Sequence, residues 1–393
     1  MKKKSKRWTP GFCLLLLMSF FYYSNNYMLN SIVAGYTAEL GGQGNIVGII
    51  NGTMTFIALI LCPVSGLAAD RINRKLLSQA GLSLLCLAGI LGAFANSVYV
   101  LLISRIIQGV GFAFLSVLLS TIVATSVEKN SVGKAIAYYA TTQAMAQALA
   151  PGMGLWVREM FGYKSVFFVG SCFVLICIFI VFFLGDFGQR STEKKNGRAG
   201  ISNFFAVNCT PFVLNGIVCA ILLHMIQAYM DPFTETNGHT EGLKAFYTVY
   251  AVSMLISRFL LSDIMDKLSL GLVLCFCVPL LLLSFYLIQI QTKPLELWMG
   301  GMLCAVGLGT MQIKTQVSVV KKLPIERQGV ANSTYYISMN IGHTLGGLLG
   351  GAVLESVVAD KLFYYCMAIS VLPVILMAVF RRQYFEKPCA VGA

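Results

Sequence analysis

Few side chains in this 393-residue chain have the type and surroundings that chemistry needs. Arg105 stands inside a long apolar run, with Gln108 and Gly109 three and four residues on and so on the same helical face. A charge in hydrocarbon costs about 2.5–3.5 kcal/mol on insertion scales. Arg105 therefore either faces a polar cavity or a helix partner, or snorkels to an aqueous boundary about two turns away. His224 and His343 also fall within apolar segments. An imidazole there either changes charge near neutral pH or serves as a neutral hydrogen-bonding group. The acids offer less. Glu39, Glu159, Asp231 and Glu355 each close an apolar segment, and none sits at the middle of one. Glu39 and Asp231 are the best placed to gain and lose a proton.

A second set of polar residues is defined by spacing. Tyr22, Asn26 and Asn30 lie four apart, and Tyr23, Asn25 and Tyr27 widen that stripe. Gln143 and Gln147 repeat the spacing, His224 is followed by Gln227, and Tyr336, Met339, Asn340 and His343 recur at i, i+3, i+4 and i+7. Such stripes either line a cavity that binds a small molecule or bond helix to helix, at about 0.6 kcal/mol per pair. No H-E-x-x-H, G-x-S-x-G, paired acids or G-x-x-x-x-G-K-[ST] occurs, which argues against an enzyme and against nucleotide hydrolysis. Neither histidine has an Asp, Glu or Cys at ligand spacing, and no C-x-x-C exists among the twelve cysteines. We expect no metal and no cofactor.

The elements that must hold these residues follow from composition. Hydrophobic residues make up 57% and charged residues 11%, with mean hydropathy +0.76; a soluble domain carries about 25% charged residues. Twelve segments are long enough to cross a bilayer, a span needing about 20 residues. They run at 11–36, 45–68, 76–95, 98–124, 133–157 and 164–184, then 208–231, 243–262, 269–290, 295–319, 329–354 and 361–380. The expected fold is an all-α integral membrane protein of two six-helix bundles, residues 1–184 and 208–393, joined by a cytoplasmic linker at 185–207. The net charge of +13 belongs to loops rather than to a nucleic-acid face. With the N-terminus cytoplasmic, 21 basic residues fall on that side and five outside, which obeys the positive-inside rule. Trp8, Trp156 and Trp298 fall at predicted membrane boundaries.

The two halves repeat each other. When Gly66 is aligned with Ser262, Asp70 meets Asp266, Arg71 meets Lys267 and Asn73 meets Ser269. Small residues four apart recur at Ala146, Ala150, Pro151 and Gly154 in helix 5 and at Gly342, Gly346, Gly347, Gly350 and Gly351 in helix 11, where backbones can approach closely. Ala150, Pro151, Gly154, Gly346 and Gly350 are the expected packing residues.

These residues give the chain a resemblance to the major facilitator superfamily over nearly its whole length. Gly66, Asp70, Arg71, Arg74 and Lys75 match that family's G-x-x-x-D-R-x-G-R-[RK], with Asn73 where glycine is usual; asparagine tolerates a left-handed backbone. Arg105, Gly109 and Gly111 match its helix 4 motif R-x-x-x-G-x-G. Helix 5 resembles the signature of the drug–proton antiporter branch, with Leu155 in place of the last glycine. The resemblance implies a monomeric secondary transporter with a small-molecule substrate, a proton as coupling ion, the lipid bilayer as its surroundings and no nucleic-acid partner. It implies a conformational latch at Gly66, Asp70, Arg71, Arg74, Asp266 and Lys267, closing against the start of helix 11 near Gln328. It implies coupling through Arg105, Gln108, Gly109, Glu39 and Asp231. A substrate cavity would draw on Tyr22, Asn26, Asn30, Gln143, Gln147, His224, Gln227, Tyr336, Asn340 and His343. Efflux of an amphipathic compound across a bacterial cytoplasmic membrane is the expected activity; import of a sugar, organic anion or other metabolite by symport is the alternative.

The charge count generates the first prediction. Reporter fusions at Gly197 and at the C-terminus should both report the cytoplasm. An external signal at either would reverse the orientation.

Overall fold

The computed structural model describes residues 10–127, 132–184, 206–236, 242–323, 328–355 and 359–385. Helices α1 (Pro10–Glu39), α2 (Asn45–Arg71), α3 (Arg74–Ala93), α4 (Val98–Thr125), α5 (Val132–Phe161) and α6 (Tyr163–Phe183) form the first half. Helices α7 (Thr210–Thr236), α8 (Leu243–Lys267), α9 (Leu270–Ile290), α10 (Pro294–Lys321) and α11 (Gln328–Glu355) begin the second. The last span is broken into α12 (Leu362–Ser370) and α13 (Leu372–Val379), followed by the short α14 (Arg381–Tyr384). The break differs from the single helix expected over 361–380. Pro373 supplies no N–H to the preceding turn, and Val371 bonds back to Ala368 instead.

Eight spans are long and apolar enough to cross a membrane on length and composition among the described residues. Helices α1, α5 and α10 are not among them, because they carry the polar load: Asn25, Asn26 and Asn30 in α1, Gln143 and Gln147 in α5, Gln312 and Lys314 in α10; the apolar stretch described in α8 is Ala245–Ser257. Helix formation still satisfies every backbone group internally, which a segment in hydrocarbon requires.

Helix starts are fixed by side chains. Asn73 caps α3, its Oδ1 accepting from the Lys75 N–H at 2.8 Å and the Leu76 N–H at 3.4 Å. Its φ of −58° is not left-handed, so the expected reason for asparagine at this position is corrected: the residue is a cap, not a glycine substitute. Its repeat partner Ser269 caps α9 in the same way, accepting from the Leu272 N–H. Glu296 closes a capping arrangement at the start of α10, accepting from the Thr292 N–H at 2.7 Å and its hydroxyl at 2.8 Å. Gly162, at φ +82°, makes the one-residue corner between α5 and α6.

Contacts gather into two compact units, Met1–Leu29 with Ile60–Lys195, and Asn30–Leu59 with Asn196–Ala393. In the first, α3 packs on α4 and α6. Gly111 of the helix 4 motif lies where a Cβ would come 2.9 Å from the Gly81 carbonyl, and Ser104 donates to the Ala88 carbonyl at 2.7 Å. In the second, α7 is the central helix, with 89% of its spanning window buried against α10, α11 and α12. The α7–α11 contact is set by small residues. A Cβ on Gly216 would meet Ser338, on Gly342 Ala220, on Gly346 His224 and on Gly350 Tyr229. Numbers rise together on both helices, so they run parallel, in steps of about one turn.

The caps generate a prediction. Asn73→Ala should lower stability by about 1 kcal/mol, whereas Asn73→Gly should cost only a few tenths. Thermal unfolding of the detergent-solubilised protein checks the order, and equal losses would remove the cap.

Candidate functional site

The first unit contributes a polar cluster on α1, α4 and α5. Tyr22 is fully buried, stacks on Phe112 at 5.7 Å and donates to the Phe112 carbonyl at 3.0 Å. The Tyr23 hydroxyl pairs with that of Tyr139 at 2.8 Å. A Cβ on Gly170 of α6 would collide with Asn25. The polar residues of α1 thus point to three different neighbours, and Tyr22 and Tyr23 hold helices together. Asn26 follows Tyr22 by one turn, and its Oδ1 is buried without a hydrogen-bond partner. Successive spans alternate in direction, so α1 and α4 are antiparallel. The Tyr22–Phe112 contact therefore brings Asn26 level with Gln108, one turn before Phe112.

Gln108 holds the charge. The Arg105 guanidinium, 0% exposed, donates through Nη1 to Gln108 Oε1 at 2.6 Å. It reaches neither lipid nor water, so it does not snorkel. Gln108 Nε2 and Gln147 Nε2 are buried donors with no partner. Gly109 is buried beside the pair. A buried cation flanked by unsatisfied amides suits a small molecule that offers acceptors or an anionic group.

The second unit contributes a cluster on α7 and α11. The His224 and His343 rings lie 5.5 Å apart, tilted by 53°. The Tyr229 ring is 6.5 Å from His224, and its hydroxyl donates to the Gly347 carbonyl. Gln227 is buried with its Nε2 unpartnered. Asn340 is buried and Tyr336 half-buried on α11. Asn30, near the middle of α1, is also buried, and Gln143 is half-buried on α5.

One acid changes place relative to expectation. Asp231 does not end its helix: α7 runs on to Thr236 through Pro232, leaving Asp231 inside the last turns, buried and within electrostatic reach of Tyr247. A proline interrupts one backbone bond without ending a helix whose other groups have no alternative partner. Glu39 is exposed at the end of α1. Gly66 and the side chains of Asp70, Arg71, Asp266 and Lys267 lie outside the described residues. Of the expected latch Arg74 is in view, donating to Thr125 Oγ1 at 2.9 Å. Ala150, Pro151 and Gly154 are buried in α5.

Sequence reasoning missed Asn51, Thr55 and the glycines between them and the start of α2. Gly48 and Gly52 are four apart, the same signal that marked α11. Lys314, a basic residue within an apolar segment, is buried in α10 beside Thr315, the partner of Asn215 at 2.6 Å. A crevice of about 510 Å³ between α5 and α6 is lined by Met153, Trp156, Phe161, Ser165, Phe168 and Phe173. Its lining is apolar, so it is a lipid-facing surface rather than a polar solute site.

Comparison with known proteins places this architecture. The sequence pattern of the Major Facilitator Superfamily matches residues 15–346. The chain belongs to that superfamily of membrane transporters. Relatives include the inner membrane transport protein YajR of Escherichia coli, 25% identical over 83% of this chain and 73% of the relative. The multi-drug resistance efflux pump PmrA of Streptococcus pneumoniae is 26% identical over 80% of this chain and 82% of its own length. Among solved structures, a POT family transporter in complex with 5-aminolevulinic acid covers 96% of this chain and 97% of that one, with TM-score 0.78 and 12% identity. The nucleoside transporter NupG covers 96% and 100%, with TM-score 0.72 and 14% identity. These two likenesses show the fold alone.

The Arg105–Gln108 bond yields a prediction. Gln108→Leu leaves a buried guanidinium short of an acceptor and should destabilise by about 2 kcal/mol. Adding Arg105→Leu should restore part of that loss, since a buried charge left alone costs more than none. Additive losses in a double-mutant cycle of unfolding would show that the bond is not made.

Proposed function

We propose that this chain is a multi-pass transporter of the bacterial cytoplasmic membrane, with both termini cytoplasmic, that works by alternating access. It exports a small amphipathic compound in exchange for protons. The observation that carries the reading is the meeting of α2 with α11. A Cβ on Gly351 would fall 2.3 Å from the Gly48 Cα, and one on Gly347 2.8 Å from the Gly52 nitrogen. Backbone meets backbone there, with Thr344 Oγ1 donating to Thr55 Oγ1 at 3.0 Å and Tyr229 reaching Asn51.

Such a contact has the properties of a reversible closure. Between helices in a bilayer, attraction comes from close packing of small residues rather than from the hydrophobic effect. It is gained at full approach and lost over a short separation, and it leaves no charge exposed when it opens. With the orientation proposed, it seals the outer end of the pathway, since α2 starts and α11 ends on that side. Efflux as the direction is supported by the relatives named as efflux pumps, PmrA among them.

The test is flux in proteoliposomes across a panel of amphipathic dyes, with an imposed pH gradient. Wild type should move a dye against its gradient, outward relative to the cytoplasmic face. Gly351→Leu, which prevents α2 and α11 from meeting, should reduce gradient-driven flux by about tenfold or more while dye binding persists. Unchanged flux in Gly351→Leu would sink the closure, and accumulation in the opposite direction would replace export by import.

A further inference from the structure

The chain has three histidines, and two of them meet inside the helix bundle. The proposed closure makes no use of them. Their meeting is built in. The α7–α11 distance is set by Gly342 and Gly346, the latter so placed that a Cβ would come 3.1 Å from the His224 Cβ. The contact therefore holds the two backbones close enough for the imidazoles to meet. Ring centres 5.5 Å apart leave about 3 Å between nitrogens turned toward each other, the length of one N–H···N bond. His343 Nε2 is buried and makes no hydrogen bond as the rings stand. A neutral imidazole offers one donor and one acceptor, and a protonated one offers two donors.

We propose that His224 and His343 together form a site for one proton, and that this is the proton exchanged during transport. The proposal rests on the proton-coupled reading above. Binding forms an N–H bond to the lone pair of one imidazole, the other imidazole accepts that N–H, and release returns the proton to water. A second proton would set two positive charges at the same separation, where like charges oppose each other's ionisation.

Several ionisable groups surround the pair. On α7 Tyr229 stacks edge-on to His224, and Asp231 lies seven residues beyond it, about 10 Å along the helix. On α8 the Tyr247 hydroxyl bonds the Ile226 carbonyl. On α10 Lys314 adjoins Thr315, whose partner Asn215 precedes His224 by nine residues, about 13 Å. Tyr335 and Tyr336 lie two turns before His343 on α11, and Cys366 of α12 faces Met225. Asp360 and Lys361 sit in the turn before α12.

The position of the pair explains how a proton acts on the closure. His343 precedes Thr344, which bonds Thr55 of α2, and Gly347 follows one turn on. A charge on the pair draws water toward this segment of α11 and favours separation from α2. Loss of the proton favours the dry contact.

The experiment uses the full chain in lipid nanodiscs with ¹⁵N-labelled histidine and His239→Gln, which leaves only the two buried signals. Titration between about pH 5 and about pH 9 spans the ordinary imidazole range. Both signals should move together in one step that totals one proton. Two independent one-proton steps, or no step at all, would overturn the shared site. This arm leaves the pair unaltered, so folding of a variant does not decide it. A second arm measures ethidium flux in proteoliposomes. His343→Gln and His224→Gln should each lose gradient-driven flux about tenfold or more. If wild type shows no response to the pH gradient, the proton-coupled reading fails. If wild type responds and both variants equal it, that reading stands and the site is lost.

Discussion

A helix in hydrocarbon can hide its own backbone polarity but gains nothing from water by touching another helix. Everything in this molecule follows from how closely backbones approach. The parallel contact of α7 and α11 is the clearest case, with glycine, serine and alanine alternating across it from Gly216 to Gly350. That contact fixes the central helix of the second unit. It seats the two imidazoles against each other and leaves the opposite side of α11 for α2.

The first unit shows the same economy with a different result. Gly81 and Gly111 bring α3 and α4 together, and Gly89 and Gly92 admit α6 through Ser171 and Phe167. Rigid packing on that side lets α4 carry a buried cation, because the neighbouring helices exclude both lipid and water from Arg105. Gln108, on the same helix, accepts from one arm of the guanidinium.

The spans were legible because length and apolarity are the strongest signals a membrane chain carries, and nine of the twelve expected segments match described helices to within four residues; the exceptions are α7, which runs on past Asp231 through Pro232, α8, which runs on to Lys267, and the last span, broken at Val371. Arg105 and the glycines of α11 were legible for the same reason: each is anomalous in an apolar run. Other features depended on what lies across from a residue, which no period in one helix reveals. The stripe on α1 brought out Tyr22 and Tyr23, but not that their hydroxyls meet the Phe112 carbonyl and Tyr139 across the bundle. Asn73 looked like a tolerated exception to a glycine and proved to be a cap, shared with Ser269. His224 and His343 are more than a hundred residues apart in sequence, and nothing in either segment announces the other.

Helix α11 presents three of its faces to different surroundings. Gly342, Gly346 and Gly350 belong to α7, Gly347 and Gly351 to α2, and Leu345, Leu348 and Leu349 are exposed on the lipid side. Adding or deleting one residue turns everything beyond it by about 100°. Leucines would then swing into a row that has no space for a single methyl group. A length change here is therefore of a different kind from a substitution: it misplaces three surfaces at once, and no neighbouring helix can yield to all three. Descendants of this gene should differ in length in their loops and in the linker between halves, and keep the register of this one helix intact.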